Sequence, residues 1–154
     1  MTNERINILY VDDEQNNLMS FKASFRLKYN VFTAISGDEA IKMLKENNIE
    51  IIITDQRMPN MTGVEFLEMV LQINPDPMRI LLTGYADLNA VIEAVNKGKI
   101  FHYLSKPWNE EELDMTILRA YDIYKKRKEE QELTDKLAVS NDQLEFLLRQ
   151  KLLS

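Results

Sequence analysis

Ile51-Ile52-Ile53-Thr54-Asp55, followed by Gln56-Arg57-Met58-Pro59, is a run of β-branched residues that stops on a carboxylate and then enters a loop. A run with no polar face reads as a strand covered on both sides, the habit of parallel sheets. Working outward, further apolar runs end in the same manner. Ile8-Leu9-Tyr10-Val11 leads into Asp12 and Asp13, Arg79-Ile80-Leu81-Leu82 into Thr83, and Phe101-His102-Tyr103-Leu104-Ser105 into Lys106. If all are parallel strands, their carboxyl ends share one edge of an open α/β sheet, where ligands of such sheets bind. The carboxylates of Asp12, Asp13 and Asp55, the hydroxyl of Thr83 and the ammonium of Lys106 would converge there.

The intervening segments carry helical signals. Residues 13–16 offer a cap for a helix with Leu18, Phe21 and Phe25 on one face. After a short second strand over 31–35, Ser36 and Glu39 have capping-box spacing ahead of Ala40, Ile41 and Leu44, and Thr62 with Glu65 repeats that spacing later. Strands are expected over 6–11, 50–54, 79–82 and 101–104 as well. A fourth helix carries Leu88, Val91, Ile92 and Val95; Pro107 then breaks the chain and Asn109 caps a last helix. Strands alternating with helices through short loops predict a doubly wound five-stranded parallel sheet of flavodoxin-like order 2-1-3-4-5. Its switch point lies between strands one and three, at Asp12, Asp13 and Asp55, with Thr83 and Lys106 flanking.

A chain of 154 residues, 45% of them hydrophobic, suffices for one ordinary core and an appendage. The boundary is expected near 125: a globular domain over 1–125, then a helical stalk over 126–154 leading to an output domain that these residues do not contain. In the stalk Leu133, Leu137, Ser140, Leu144 and Leu147 follow alternating steps of four and three, the seam of a two-stranded coiled coil, so a homodimer is expected through it. A net charge of −6 argues against direct binding to nucleic acid or anionic membranes; the basic run 125–128 is neutralised by Glu129, Glu130 and Glu132. There is no cysteine, hence no disulfide framework and no thiolate metal site. No apolar run approaches a membrane span, and Asp12 comes too early for a signal peptide, so the expected location is cytoplasmic.

Like charges about 4 Å apart repel by roughly 4 kcal/mol at an effective dielectric of about 20, so an acidic trio calls for a cation. All-oxygen ligands that leave room for water and a substrate phosphate suit Mg²⁺. A carboxylate beside that ion can attack phosphorus and become an aspartyl phosphate. Lys106 would supply positive charge to the transferring oxygens, and the Thr83 hydroxyl could bond the attached phosphoryl group. His102, the sole histidine, lies inside an apolar run and reads as structural, Trp108 as packing, and the eight methionines as core filler.

These residues, with the Asp55 to Pro59 loop and the Lys106-Pro107 pair, resemble the receiver domain of two-component response regulators over about residues 5–125. The resemblance implies that Asp55 accepts phosphate from a histidine kinase or phosphotransfer protein, and that Asp12, Asp13, Asp55 and the backbone carbonyl of Arg57 hold Mg²⁺. It implies Thr83 and Tyr103 as a switch pair, a cis peptide before Pro107, and a domain that catalyses its own phosphorylation and dephosphorylation without being a turnover enzyme. Leu81-Leu82-Thr83-Gly84-Tyr85-Ala86-Asp87 with Lys106-Pro107-Trp108 is similar to a subgroup attached to hydrolase or phosphatase outputs or to transcriptional activators. Arg57, a bulky cation two residues past the acceptor, is in position to block or assist a hydrolytic water. Two rival readings are a Mg²⁺-dependent phosphatase, for which Arg57 stands where a second acid would be needed, and a coiled-coil assembly adaptor with a vestigial site. Nucleotide binding lacks both of its glycine-rich loops.

Overall fold

The computed structural model describes residues 5–153, so residues 1–4 and 154 lie outside the described part. Ten regular elements alternate along it: β1 (Asn7–Val11), α1 (Gln15–Phe25), β2 (Asn30–Ala34), α2 (Gly37–Glu46), β3 (Ile51–Asp55), α3 (Gly63–Ile73), β4 (Met78–Thr83), α4 (Leu88–Asn96), β5 (His102–Ser105) and α5 (Glu110–Leu153). The strands form one parallel sheet in the order β2-β1-β3-β4-β5. This is the flavodoxin-like order expected from the alternation of runs.

Every residue of β3 and β4 is buried, their apolar residues between the two helical layers and Arg79 by donating to the carbonyls of Lys99, Pro75 and Pro77. Leu9, Val11, Ile52 and Leu81 face a cluster containing Phe66, Leu67 and Val70 of α3 with Val91 and Ala94 of α4. Alternate residues turn to the opposite layer, where Tyr10 stacks on Phe21 of α1. The first turns of α5 bury Leu113, Ile117 and Ala120. Asp114 on the same helix accepts hydrogen bonds from Lys28 and Tyr29, which follow α1. Burying each large apolar side chain contributes about 1.5–3 kcal/mol, so these two layers fix the sheet and therefore the edge that carries the site.

Several local expectations shift. Strands β3, β4 and β5 run one residue past their apolar runs, so Asp55, Thr83 and Ser105 belong to strands. The ladder explains it: Asp55 pairs with Leu82 and Thr83 with Ser105, and backbone pairing needs no apolar side chain. Helix α1 has no side-chain cap within residues 13–16, because the Glu14 amide donates instead to Oδ1 of Asp12 at 3.0 Å. The capping box at α3 is complete, whereas at α2 Ser36 accepts from the Glu39 amide but Glu39 accepts from the amide of Ile35. Asn109 caps α5 through the Glu112 amide, as expected. The methionines are not core filler as a group: Met78 is buried, but Met19, Met69 and Met115 are exposed on their helices.

By their internal contacts the described residues fall into two units that meet between Tyr121 and Asp122. In the second unit the described residues continue α5, and Leu133, Leu137, Leu144 and Leu147 are exposed along it. No helix among the described residues is long and apolar enough to cross a membrane.

Candidate functional site

Strand order brings the ends of β1 and β3 side by side, and with them the acids that follow or close these strands. One carboxylate oxygen from each of Asp12, Asp13 and Asp55 lies within 4.8 Å of the others. Asp12 is wholly buried, Asp55 almost so, and Asp13 half-buried. Lys106, which follows β5, reaches across the end of β4 to place Nζ 2.6 Å from Oδ1 of Asp55. The amide of Gln56 donates to the same oxygen at 2.9 Å. Burial is the main force raising the Asp55 pKa above 3.8, helped by the negative charge of Asp12; Lys106 and the Gln56 amide oppose it.

Asp12 is held from three directions. Its Oδ2 accepts from the Tyr10 hydroxyl at 2.9 Å and from Nδ2 of Asn17 at 3.1 Å, and its Oδ1 accepts from the Glu14 amide. Buried, hydrogen-bonded carboxylates crowded at one point, with only oxygen donors among them, fit a hard divalent cation. The acidic cluster is therefore one that could bind a metal.

The loop after β3 is pinned by Gln56, whose side-chain oxygen accepts from the Val64 amide and whose carbonyl accepts from the Gly63 amide, both at 2.9 Å. Gly63 itself meets the strand end so closely that a Cβ would fall 2.4 Å from the Asp55 carbonyl oxygen. Asn60 takes a left-handed turn, φ 71°, a conformation asparagine tolerates. Arg57 is engaged by a different acid, its Nε donating to Oδ2 of Asp87 at 2.9 Å.

Thr83 closes β4 beside the crevice, buried, with its hydroxyl donating to the Gly84 carbonyl at 3.1 Å. Tyr103 is half-buried and packs against the central cluster. The Lys106-Pro107 peptide is cis. Trp108 packs against Phe21 and Phe25. His102 is half-buried; burial chiefly, and the charge of Arg119, push its pKa down against the opposing pull of Glu112, which keeps it neutral at physiological pH.

The structure thus gathers Asp12, Asp13, Asp55 and Lys106 into one crevice with Thr83 at its flank. Sequence reading missed the supporting residues Tyr10, Asn17, Gln56 and Asp87. Tyr10 looked like an ordinary member of an apolar strand, and nothing local links Asp87 to Arg57.

An α/β module with a carboxylate trio and a lysine at the carboxyl edge of its sheet is the class that fold and crevice define. The family model for the response regulator receiver domain matches residues 8–119, and the chain belongs to that family. Its members take part in two-component signalling by accepting a phosphoryl group. The hydrogenase transcriptional regulatory protein HoxA of Bradyrhizobium diazoefficiens is 34% identical over 122 residues, covering 79% of this chain and 25% of its own length. A response regulator receiver domain protein from Clostridium thermocellum superposes with a TM-score of 0.74 at 34% identity, over 78% of this chain and 97% of that one. A structure described as adenylate cyclase from Rhodopirellula baltica gives a TM-score of 0.84 at 32% identity, covering 86% and 99%. The chain spans about a quarter of the length of the curated relatives it matches.

Proposed function

We propose that this chain is a phosphorylation switch in which Asp55 accepts a phosphoryl group, in a Mg²⁺-dependent reaction, from the phosphohistidine of a sensor kinase or phosphotransfer protein. The observation that carries the reading is the 2.6 Å approach of Lys106 Nζ to Asp55 Oδ1 beside the carboxylates of Asp12 and Asp13. A carboxylate lone pair of Asp55 forms the new O–P bond as the N–P bond of the donor breaks and the imidazole leaves. Mg²⁺, held by Asp12, Asp13, Asp55 and the Arg57 carbonyl, supplies positive charge at the phosphoryl oxygens when bound. Lys106 adds a fixed ammonium beside Asp55, in a partly buried crevice where its charge is effective. The same groups assist hydrolysis of the acyl phosphate, so the chain catalyses both steps on itself and is not a turnover enzyme.

The Thr83 hydroxyl, held by the Gly84 carbonyl in the unphosphorylated state, turns to the phosphoryl group once it is attached. Tyr103 follows, and the surface of α4, β5 and α5 reports the change to an output domain or partner. A tenfold preference of the phosphoryl group for the active arrangement needs only about 1.4 kcal/mol. Such signalling supports a cytoplasmic location. Incubation with a small phosphodonor and Mg²⁺ should add one phosphoryl group by mass spectrometry. Asp55→Asn should abolish the gain; persistence of the gain in that variant sinks the reading.

The stalk is proposed to pair with a second copy of itself in parallel. Its leucine seam is exposed, and Glu129, Lys136 and Gln143 on one flank would face Thr134, Asn141 and Leu148 of the partner helix, so no like charges meet. Sedimentation should give a dimer that Leu137→Lys combined with Leu144→Lys converts to a monomer. Unchanged mass in that variant would exclude this seam.

A further inference from the structure

Asp12, a ligand of the proposed Mg²⁺ site, is aimed by the groups around it. A carboxylate offers about four acceptor positions, and those of Asp12 receive the Tyr10 hydroxyl, the Asn17 amide group and the Glu14 backbone amide. One position receives no donor among the described residues, on a side chain gathered with Asp13 and Asp55. Tyr10 cannot easily turn: it is buried, and its ring lies on Phe21 with centroids 4.2 Å apart and planes within 7°. Phe21 in turn meets the edge of Trp108, two residues beyond Lys106. Tyr10, Asn17, Lys106, Pro107 and Trp108 line one recess of about 420 Å³ beside the acids.

Resting on the functional reading above, we propose that Tyr10 and Asn17 are positioning residues that lock the rotamer of Asp12, so that its free lone pair is presented to the divalent cation before the cation arrives. The hydroxyl does this as a donor held at fixed geometry by a stacked ring, and the amide adds a second donor to the same oxygen. Without them Asp12 must find its ligating orientation upon each binding event, which weakens the metal site while leaving Asp55 and Lys106 in place. Preorganisation of this kind acts through outer hydrogen bonds, whose loss at metal sites costs about 10-fold or more in affinity.

The test is a Mg²⁺ titration of the full chain followed by amide NMR shifts, comparing wild type with Tyr10→Phe and Asn17→Ala. Tyr10→Phe keeps the stacked ring and removes only the hydroxyl; Asn17 is half-buried and is not among the buried residues of α1, so Asn17→Ala leaves Leu18, Phe21 and Phe25 in place. The Mg²⁺ midpoint should rise roughly 10-fold in Tyr10→Phe and by a smaller factor in Asn17→Ala. Beryllofluoride uptake should reach the wild-type plateau once Mg²⁺ saturates, which a general loss of structure would not allow. A wild type that binds Mg²⁺ while both variants match its midpoint overturns this inference alone. A wild type with no response to Mg²⁺ overturns the functional reading and the inference with it.

Discussion

Lys106 places its ammonium 2.6 Å from the Asp55 carboxylate although the end of β4 separates them in the sheet. This contact offsets part of the cost of burying Asp55 next to Asp12. Burial first, and then the Asp12 charge, still leave the Asp55 pKa above its unfolded value of 3.8. The folded protein therefore holds this proton more tightly than the unfolded chain. In the metal-free protein the Asp55 contribution makes stability fall as pH rises from about 4 through the raised pKa, and the penalty is complete above it. Urea unfolding in chelator should show that fall. Asp55→Asn should remove it. Lys106→Met should extend it to higher pH and cost about 1–3 kcal/mol at neutral pH, less than for a fully buried pair because the lysine is partly solvated. A flat difference between wild type and Asp55→Asn across this range would refute the assignment.

Gly63 starts α3 against the carbonyl of the acceptor residue. A methyl group there would sit 2.4 Å from that oxygen and 2.8 Å from Cδ1 of Leu81, and neither backbone nor core can give way cheaply. Gly63→Ala should lose about 1–3 kcal/mol of stability. It should also slow phosphorylation of Asp55 even where the protein remains folded, since the displaced group is the acceptor strand itself. A denaturant midpoint and a phosphorylation rate at one temperature check both parts.

The sheet order and the acidic crevice could be read from the chain because each depends on a local pattern. Ile51 to Asp55 and Ile8 to Asp13 show an apolar run and its terminal acids within a few residues, and the alternation with helices leaves one economical topology. Supporting contacts were hidden for the opposite reason. Tyr10 has the composition of a core strand residue, and its hydroxyl matters only because the β pleat sends it to the layer of α1 and Asn17. Met115 looked apolar enough for the interior, yet α5 turns it outward. The extra strand residues Asp55 and Thr83 came from pairing with neighbours, a relation between segments that no single segment displays.

Arg57 and Asp87 join the loop after the acceptor to the turn that follows Thr83, over a separation of 30 residues. While the pair holds, the guanidinium is engaged by Asp87. In Asp87→Asn the freed cation can swing over a phosphoryl group on Asp55 and obstruct the attacking water, so the acyl phosphate should live a few-fold longer. Arg57→Ala should reverse the effect when added to Asp87→Asn, returning the lifetime toward or below that of the wild type. Loss of radiolabel from the isolated phosphoprotein measures it. Equal lifetimes in all three proteins would show that the ion pair is mere surface decoration.

Asp114 fastens α5 to the segment after α1 by accepting from Lys28 and Tyr29. Burial works against its ionised form, but these two donors outweigh burial and set its pKa below the usual 3.8, while the Tyr29 hydroxyl is pushed well above its ordinary range. A carboxyl with a depressed folded pKa adds stability that is complete above the unfolded value and disappears as pH falls through the folded one. Asp114→Asn should therefore destabilise the neutral protein by about 1–2 kcal/mol, chiefly through the charged bond to the buried Tyr29, because Lys28 is largely solvated. The gap between variant and wild type should close below about pH 4. Urea titrations at neutral and acid pH decide it: a gap that persists in acid would mean that shape, and not charge, makes this fastening.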